Sequence, residues 1–340
     1  MDIPKTRRRR IPSWLPQVLG YCLSAVCLLW ALRNYNFHEL PAAIRSLDWK
    51  WVALGVGCDL AVYLTHAWRW NTLLGPVARL GYWRTVQSIY IGLFANEVLP
   101  LRVGELIRCY LLAHWNDLRI SLIFSSAAVE RLFDGFYMLA AFFLTASFVR
   151  RIPEKLTILV DVLGVFVLIG ACVLVWVIRY KQHAHLIAAE SRWASTLRHI
   201  VEGLHLMGNW RTMGATALIS GAYLALQVVS YWALMKAFLL DLSFLQAGGV
   251  LAIVRFATAV PNAPGNVGVF QLACVTALAL FDVERTDAQT FAIVLFFALS
   301  MPLLIGGAIA TALTGVNIRQ IREHARRRVE AAPQEDEELV

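Results

Sequence analysis

Residues 96–108 read NEVLPLRVGELIR, a stretch that sets Glu97, Arg102, Glu105 and Arg108 around Pro100 and Gly104. Arginines at this spacing offer forked donors suited to a phosphate or a carboxylate. The glutamates beside them could hold the arginines in place, compensate their charge or relay protons. A second charged stretch, VERLFD, carries Glu130, Arg131 and Asp134. On a helix Glu130 and Asp134 share a face, Arg131 lies within reach of Asp134, and Glu105 and Arg108 are likewise one turn apart. Asp59, Arg69 (in HAWRW) and Arg255 are the remaining charges embedded in apolar sequence. Together these carboxylates and arginines could form one buried ionic network. A plainer reading has them pair internally and fix helix positions. Arg69, near the end of an apolar run, is expected to snorkel to the membrane interface. A third stretch, VPNAPGNVG at 260–268, brings Pro261, Pro264, Gly265 and Gly268 into an otherwise apolar region.

Catalytic and metal chemistry find less support. The histidines include His183 and His185, and an E-x-x-H spacing joins Glu202 to His205 just after His199. A di-iron centre needs two such motifs and further carboxylates. In the basic, amphipathic segment 186–208 a solvated interfacial helix is the better reading. There is no G-x-S-x-G, no phosphate-binding loop and no nucleophile–base pair. The cysteines are scattered through apolar segments without a C-x-x-C pair, so they predict neither disulfides nor a metal site. No catalytic residue, metal or cofactor is expected, and the chain is not read as an enzyme.

The elements that must position these charges are membrane helices. Of 340 residues, 59% are hydrophobic and 16% charged, and the mean hydropathy is +0.59. Soluble domains carry about 25% charged residues. The runs Leu122–Val149, Leu156–Ile178 and Phe291–Thr314 each reach the roughly 20 residues that span a hydrocarbon core. They are continuous rather than alternating, which favours helices over a barrel. The net charge of +8 sits in flanks: Lys5 and Arg7–Arg10 before the first run, and Arg319, Arg322 and Arg326–Arg328 after the last. That placement points to anionic headgroups and cytoplasmic termini rather than to nucleic acid. No small-residue cleavage site follows Leu32, so the first run is expected to persist as a helix.

The predicted fold is an all-α polytopic membrane bundle with about six full crossings, near 14–32, 51–74, 122–149, 156–179, 212–240 and 289–314. Two regions, 86–113 and 244–281, are too interrupted to cross. The apolar piece Ser88–Leu99 is only about 18 Å long as a helix, and Pro100 and Gly104 follow it. Each interrupted region is therefore read as a re-entrant helical hairpin, with tips at Pro100–Gly104 and Pro261–Gly265. LPLRVGE and VPNAPGN both place proline four residues before glycine. The organisation follows: a basic N-terminus, first helix and loop (1–50), a first repeat (51–149), a linking helix and basic loop (150–211), a second repeat (212–314) and a charged tail (315–340). One intervening crossing would invert the second repeat. Gly/Pro-interrupted segments at matching places in two halves point to a transporter's central site, with the half-helix N-termini aimed at an anion.

NEVLPLRVGELIRCYLL, AAVERLFDGF and VPNAPGNVGVFQ, in that order, resemble the lysylphosphatidylglycerol synthase transmembrane-region family. The similarity extends over about residues 15–315. It implies a flippase-like membrane half, similar to that of the multiple peptide resistance factors, without their aminoacyltransferase domain. By position it implicates Asn96, Pro100, Arg102, Gly104, Glu105, Arg108, Pro261, Pro264, Gly265 and Gly268 in substrate binding. It further implicates Glu130, Arg131 and Asp134 as a charge network or proton relay. One position departs: Gln271 stands where the family carries an acidic residue, which weakens the case for a lysyl headgroup. The leading expectation is a translocator of an anionic phospholipid or polyprenyl-phosphate-type lipid in a prokaryotic inner membrane. Its phosphate would be held by Arg102, Arg108 and the half-helix N-termini. Two other readings are a non-transporting partner of a lipid-modifying or glycan-assembly enzyme and, least favoured, a lipid transferase. Homo-oligomers or a partner enzyme fit either of the first two.

Overall fold

A computed structural model describes residues 15–99, 103–146, 158, 161–162, 164–172, 207–259 and 263–316. Pro100, Arg102, Pro261, the histidines of 183–205 and the charged tail lie outside the described residues, as does much of the predicted crossing at 156–179. Among the described residues regular structure is entirely helical: α1 (Leu15–Ala31), α2 (Leu40–Arg45), α3 (Trp49–Leu74), α4 (Tyr82–Val98), α5 (Gly104–Trp115), α6 (Ile120–Ala146), α7 (Trp210–Ala237), α8 (Phe244–Ala259), α9 (Val269–Ala279) and α10 (Arg285–Thr314). Local chemistry sets several ends. Asp48 accepts from Lys50 N to open α3, Asn209 accepts from Arg211 N to open α7, and Gly315, in a left-handed conformation, closes α10.

By length and composition α7 and α10 are each able to cross a membrane. α3 and α6 match them in length, with 26 and 27 residues, but spend part of it on charge: Asp59 and Arg69 on the one, Glu130, Arg131 and Asp134 on the other. A hydropathy scan penalises such helices even where the charges face protein.

The helix pattern occurs twice. From α3 to α6 the helices have 26, 17, 12 and 27 residues; from α7 to α10 they have 28, 16, 11 and 30. The packing repeats with it, since α4 lies on α10 as α8 lies on α6. The equivalent helices α3 and α7 pack along their whole length and run antiparallel. Asp48 N donates to Ala237 O at one end (3.2 Å), Gly55 packs under Leu234, and Arg69 donates to Ser220 towards the other end (3.3 Å). Two large apolar clusters form. One is built around Trp70, Leu73, Ile89, Leu112 and Ile123; the second, around Leu234, Val250, Leu278 and Phe291, also takes in Met138, Leu139 and Phe142 of α6.

Both interrupted regions form short helix pairs. α4 ends at Val98, Leu99 after it is extended, and α5 begins at Gly104. Gly92 and Gly104 let these two backbones touch: a Cβ on Gly104 would overlap the Gly92 carbonyl oxygen and the Asn96 side chain. Asn96 Oδ1 accepts from Gly104 N (2.8 Å) and so clamps the hairpin. Asn96→Ala should cost about 1–3 kcal/mol in a denaturant titration, because it orphans a partly buried amide. The second pair differs in detail. α9 begins at Val269 rather than at Gly265, after a 3₁₀ turn at Pro264–Asn266, because Gly265 and Gly268 both adopt positive φ (68° and 86°). The two tips meet, with the Glu97 carboxylate 2.8 Å from where a Cβ on Gly265 would lie. α1 closes over the second tip, where Ser24 Oγ accepts from Ala263 N (3.3 Å).

Candidate functional site

Six of the charges singled out in the sequence converge where α3, α5 and α6 meet α7 and close into a ring, while Asp59 and Arg255 stand outside it. Arg69 Nε donates to Glu130 Oε1 (3.2 Å), and Glu130 Oε2 accepts from Arg108 (3.4 Å). Arg108 Nε donates to Glu105 Oε2 (2.9 Å), and Glu105 Oε1 accepts from Arg131 (2.6 Å). Arg131 donates to Asp134 Oδ2 (3.2 Å), and Asp134 Oδ1 accepts from Arg69 (2.5 Å). Signs alternate around the ring, so each guanidinium has two carboxylates and each carboxylate two guanidiniums. Formal charge cancels, and that is what allows six ionic groups into apolar surroundings.

Burial grades the members. Arg69 and Glu130 are fully buried and Arg108 is 1% exposed, whereas the Arg131 side chain is 53% exposed. The predicted snorkelling of Arg69 is therefore corrected. It stands at the centre of the ring, because the antiparallel α7 covers its end of α3 with Ser220 and Tyr223. Its guanidinium lies 4.6 Å from the Tyr223 ring centroid. Arg108 is placed the same way over Trp70 (4.6 Å), whose indole N–H donates to Ser126 Oγ (2.8 Å). Aromatic faces thus cover the two buried cations where carboxylates do not.

Sequence reasoning passed over His66. Its Nε2 lies 3.0 Å from Arg108 Nη1 and 3.3 Å from Glu130 Oε2. Arginine only donates and a carboxylate only accepts, so the imidazole bonds one or the other according to where its proton sits. The signal was in HAWRW: His66, Arg69 and Trp70 lie on one helical face at i, i+3 and i+4. Tyr223 and Ser220 carried no comparable sign, since only the packing of α7 on α3 brings them in.

The other implicated residues divide. Glu105, Arg108, Glu130, Arg131 and Asp134 are brought together in the ring. Asn96 and Gly104 stand at the first tip, Gly265 and Gly268 at the second, and Pro264 opens the turn between α8 and α9. The helix N-termini at the tips carry partners from the chain itself: Gly104 N bonds Asn96, and Gly268 N donates to the buried Gln271 Oε1 (2.7 Å). Gln271 thus caps α9, a task its carbonyl performs without charge. Among the described residues no cluster of histidine, cysteine and carboxylates could hold a metal.

Residues 17–307 match the family described as the lysylphosphatidylglycerol synthase TM region. No curated protein and no solved structure gives a significant match.

Proposed function

Because the chain belongs to the lysylphosphatidylglycerol synthase TM-region family, a family of membrane domains related to lipid handling, we propose that it is a lipid translocator. In this reading it moves an anionic phospholipid or polyprenyl-phosphate-type lipid between leaflets. The observation that carries the proposal is the neutral ring set beside two meeting hairpin tips, each tip from one of two matching sets of helices. Equivalent helices α3 and α7 run antiparallel, which supports an inverted repeat. Rocking one repeat against the other would then alternate the side to which the centre opens. The ring holds α3, α5 and α6 together through the movement. The acyl or prenyl tails stay in the bilayer. The role is transport rather than catalysis, in a prokaryotic inner membrane with both termini cytoplasmic.

Purified protein in liposomes should speed the exchange of a fluorescent phosphatidylglycerol between leaflets, read by dithionite quenching of the outer leaflet. Arg102→Ala, in the first tip, should slow it. Equal rates in protein-free vesicles would sink the proposal. Full activity of Arg102→Ala would remove the first tip from headgroup binding.

A further inference from the structure

The ring does not leave its arginines free for a ligand. Each of Arg69, Arg108 and Arg131 already satisfies two carboxylates, and the two buried ones are sealed by Tyr223 and Trp70. A phosphate entering between them would have to displace a carboxylate from a bond of equal kind. An anion needs a guanidinium whose forks are open.

Arg255 is such a group. It lies on α8, one turn before that helix ends and the second tip begins. The residue is exposed although Val254 and Phe256 beside it are buried. Nη2 donates to Gln227 Oε1 of α7 (2.7 Å), a neutral partner that is itself 3% exposed. Among the described residues no carboxylate comes within ion-pair distance of Arg255. Its charge is within electrostatic range of Asp59 on α3 and of the phenols of Tyr63, Tyr223 and Tyr231. Asp59, 8% exposed, has one oxygen, Oδ2, without a hydrogen-bond partner among the described residues. A guanidinium held by one neutral amide keeps donors to spare for an anion.

We propose that Arg255 is the primary anchor for the phosphate of the transported lipid, oriented by Gln227. The proposal rests on the translocator reading and names the group that grips the substrate within it. A guanidinium fixed at one nitrogen keeps its remaining N–H groups for two phosphate oxygens. Asp59 opposes the anion, so the phosphate and the Asp59 charge compete for Arg255. The chemistry recognised is the phosphate itself, whether carried by a lipid or by a soluble ester.

Binding of fluorescent phosphatidylglycerol to the purified full chain in uncharged detergent tests this, with fluorescent diacylglycerol, which lacks the phosphate, as reference and glycerol phosphate as soluble competitor. Arg255→Gln should weaken phosphatidylglycerol binding by about tenfold or more, Arg255→Lys should keep part of it, and Asp59→Asn should strengthen it. Binding of the phosphate-free diacylglycerol and the melting temperature of Arg255→Gln should stay at wild-type values. Displacement by glycerol phosphate alone would assign the anion to a soluble source; displacement only by lipid assigns it to the bilayer. Unchanged phosphatidylglycerol binding in Arg255→Gln overturns the proposal. If that variant binds and translocates normally, the translocator reading survives without this anchor. If binding depends on Arg255 but the wild type moves no lipid, the anchor stands and the translocator reading falls.

Discussion

Replacing Glu130 by glutamine should lower the stability of the purified protein by about 3–5 kcal/mol, read from denaturant titration in detergent micelles. Glu130 is fully buried and is the carboxylate shared by the two buried arginines, through Oε1 to Arg69 and Oε2 to Arg108. The amide keeps the shape but loses the charge, and it turns one oxygen into an N–H₂ facing guanidinium donors. Arg69 then depends on Asp134 alone and Arg108 on Glu105 alone, with His66 unable to substitute because it is not an anion. Water cannot compensate at a position with no exposed surface. Removing Arg69 as well should be less costly than the sum of the two single changes, since the glutamine would no longer face an uncompensated cation. A loss below about 1 kcal/mol, typical of exposed pairs, would mean that the ring does not carry the charge distribution described.

The parts of the fold that could be read from the sequence are those governed by local periodicity. Apolar runs placed α3, α6, α7 and α10 to within a few residues, and Pro/Gly breaks located both hairpins. The i, i+3 spacings of Glu105–Arg108 and Arg131–Asp134 anticipated two of the ring's six bonds. What escaped depended on one helix lying over another. Arg69 reads as a terminal snorkelling residue until α7 is laid antiparallel across it. His66 becomes a ring neighbour only when α5 delivers Arg108 and α6 delivers Glu130. The start of α9 also moved, because proximity of proline and glycine signals a break but not where the next helix resumes. Gly268 sets that point by adopting positive φ under α1, where a Cβ would overlap the Ser24 carbonyl oxygen.

Gly104→Ala should be strongly damaging, and Gly57→Ala should serve as its opposite. A Cβ on Gly57 would have nothing within 4 Å, so alanine there should be neutral or add up to about 1 kcal/mol through helix propensity. At Gly104 the methyl would occupy the space of the Gly92 carbonyl oxygen and press on the Asn96 amide. Backbone cannot yield as a side-chain end can, so α4 and α5 must separate. The cost should reach about 3 kcal/mol, the upper part of the range for overpacking, with loss of the Asn96 bond to Gly104 N included. The functional loss should exceed what this instability explains. Glu105 follows Gly104 directly and Arg108 lies one turn on, so displacing α5 pulls both from Arg131 and Glu130 at once. Lipid exchange by the folded fraction, measured at a temperature well below its midpoint, should therefore fall more steeply for Gly104→Ala than for Asn96→Ala, which loosens the clamp without forcing the helices apart. Equal exchange rates for the two variants would show that the close approach of Gly92 and Gly104 stabilises the hairpin without positioning the ring.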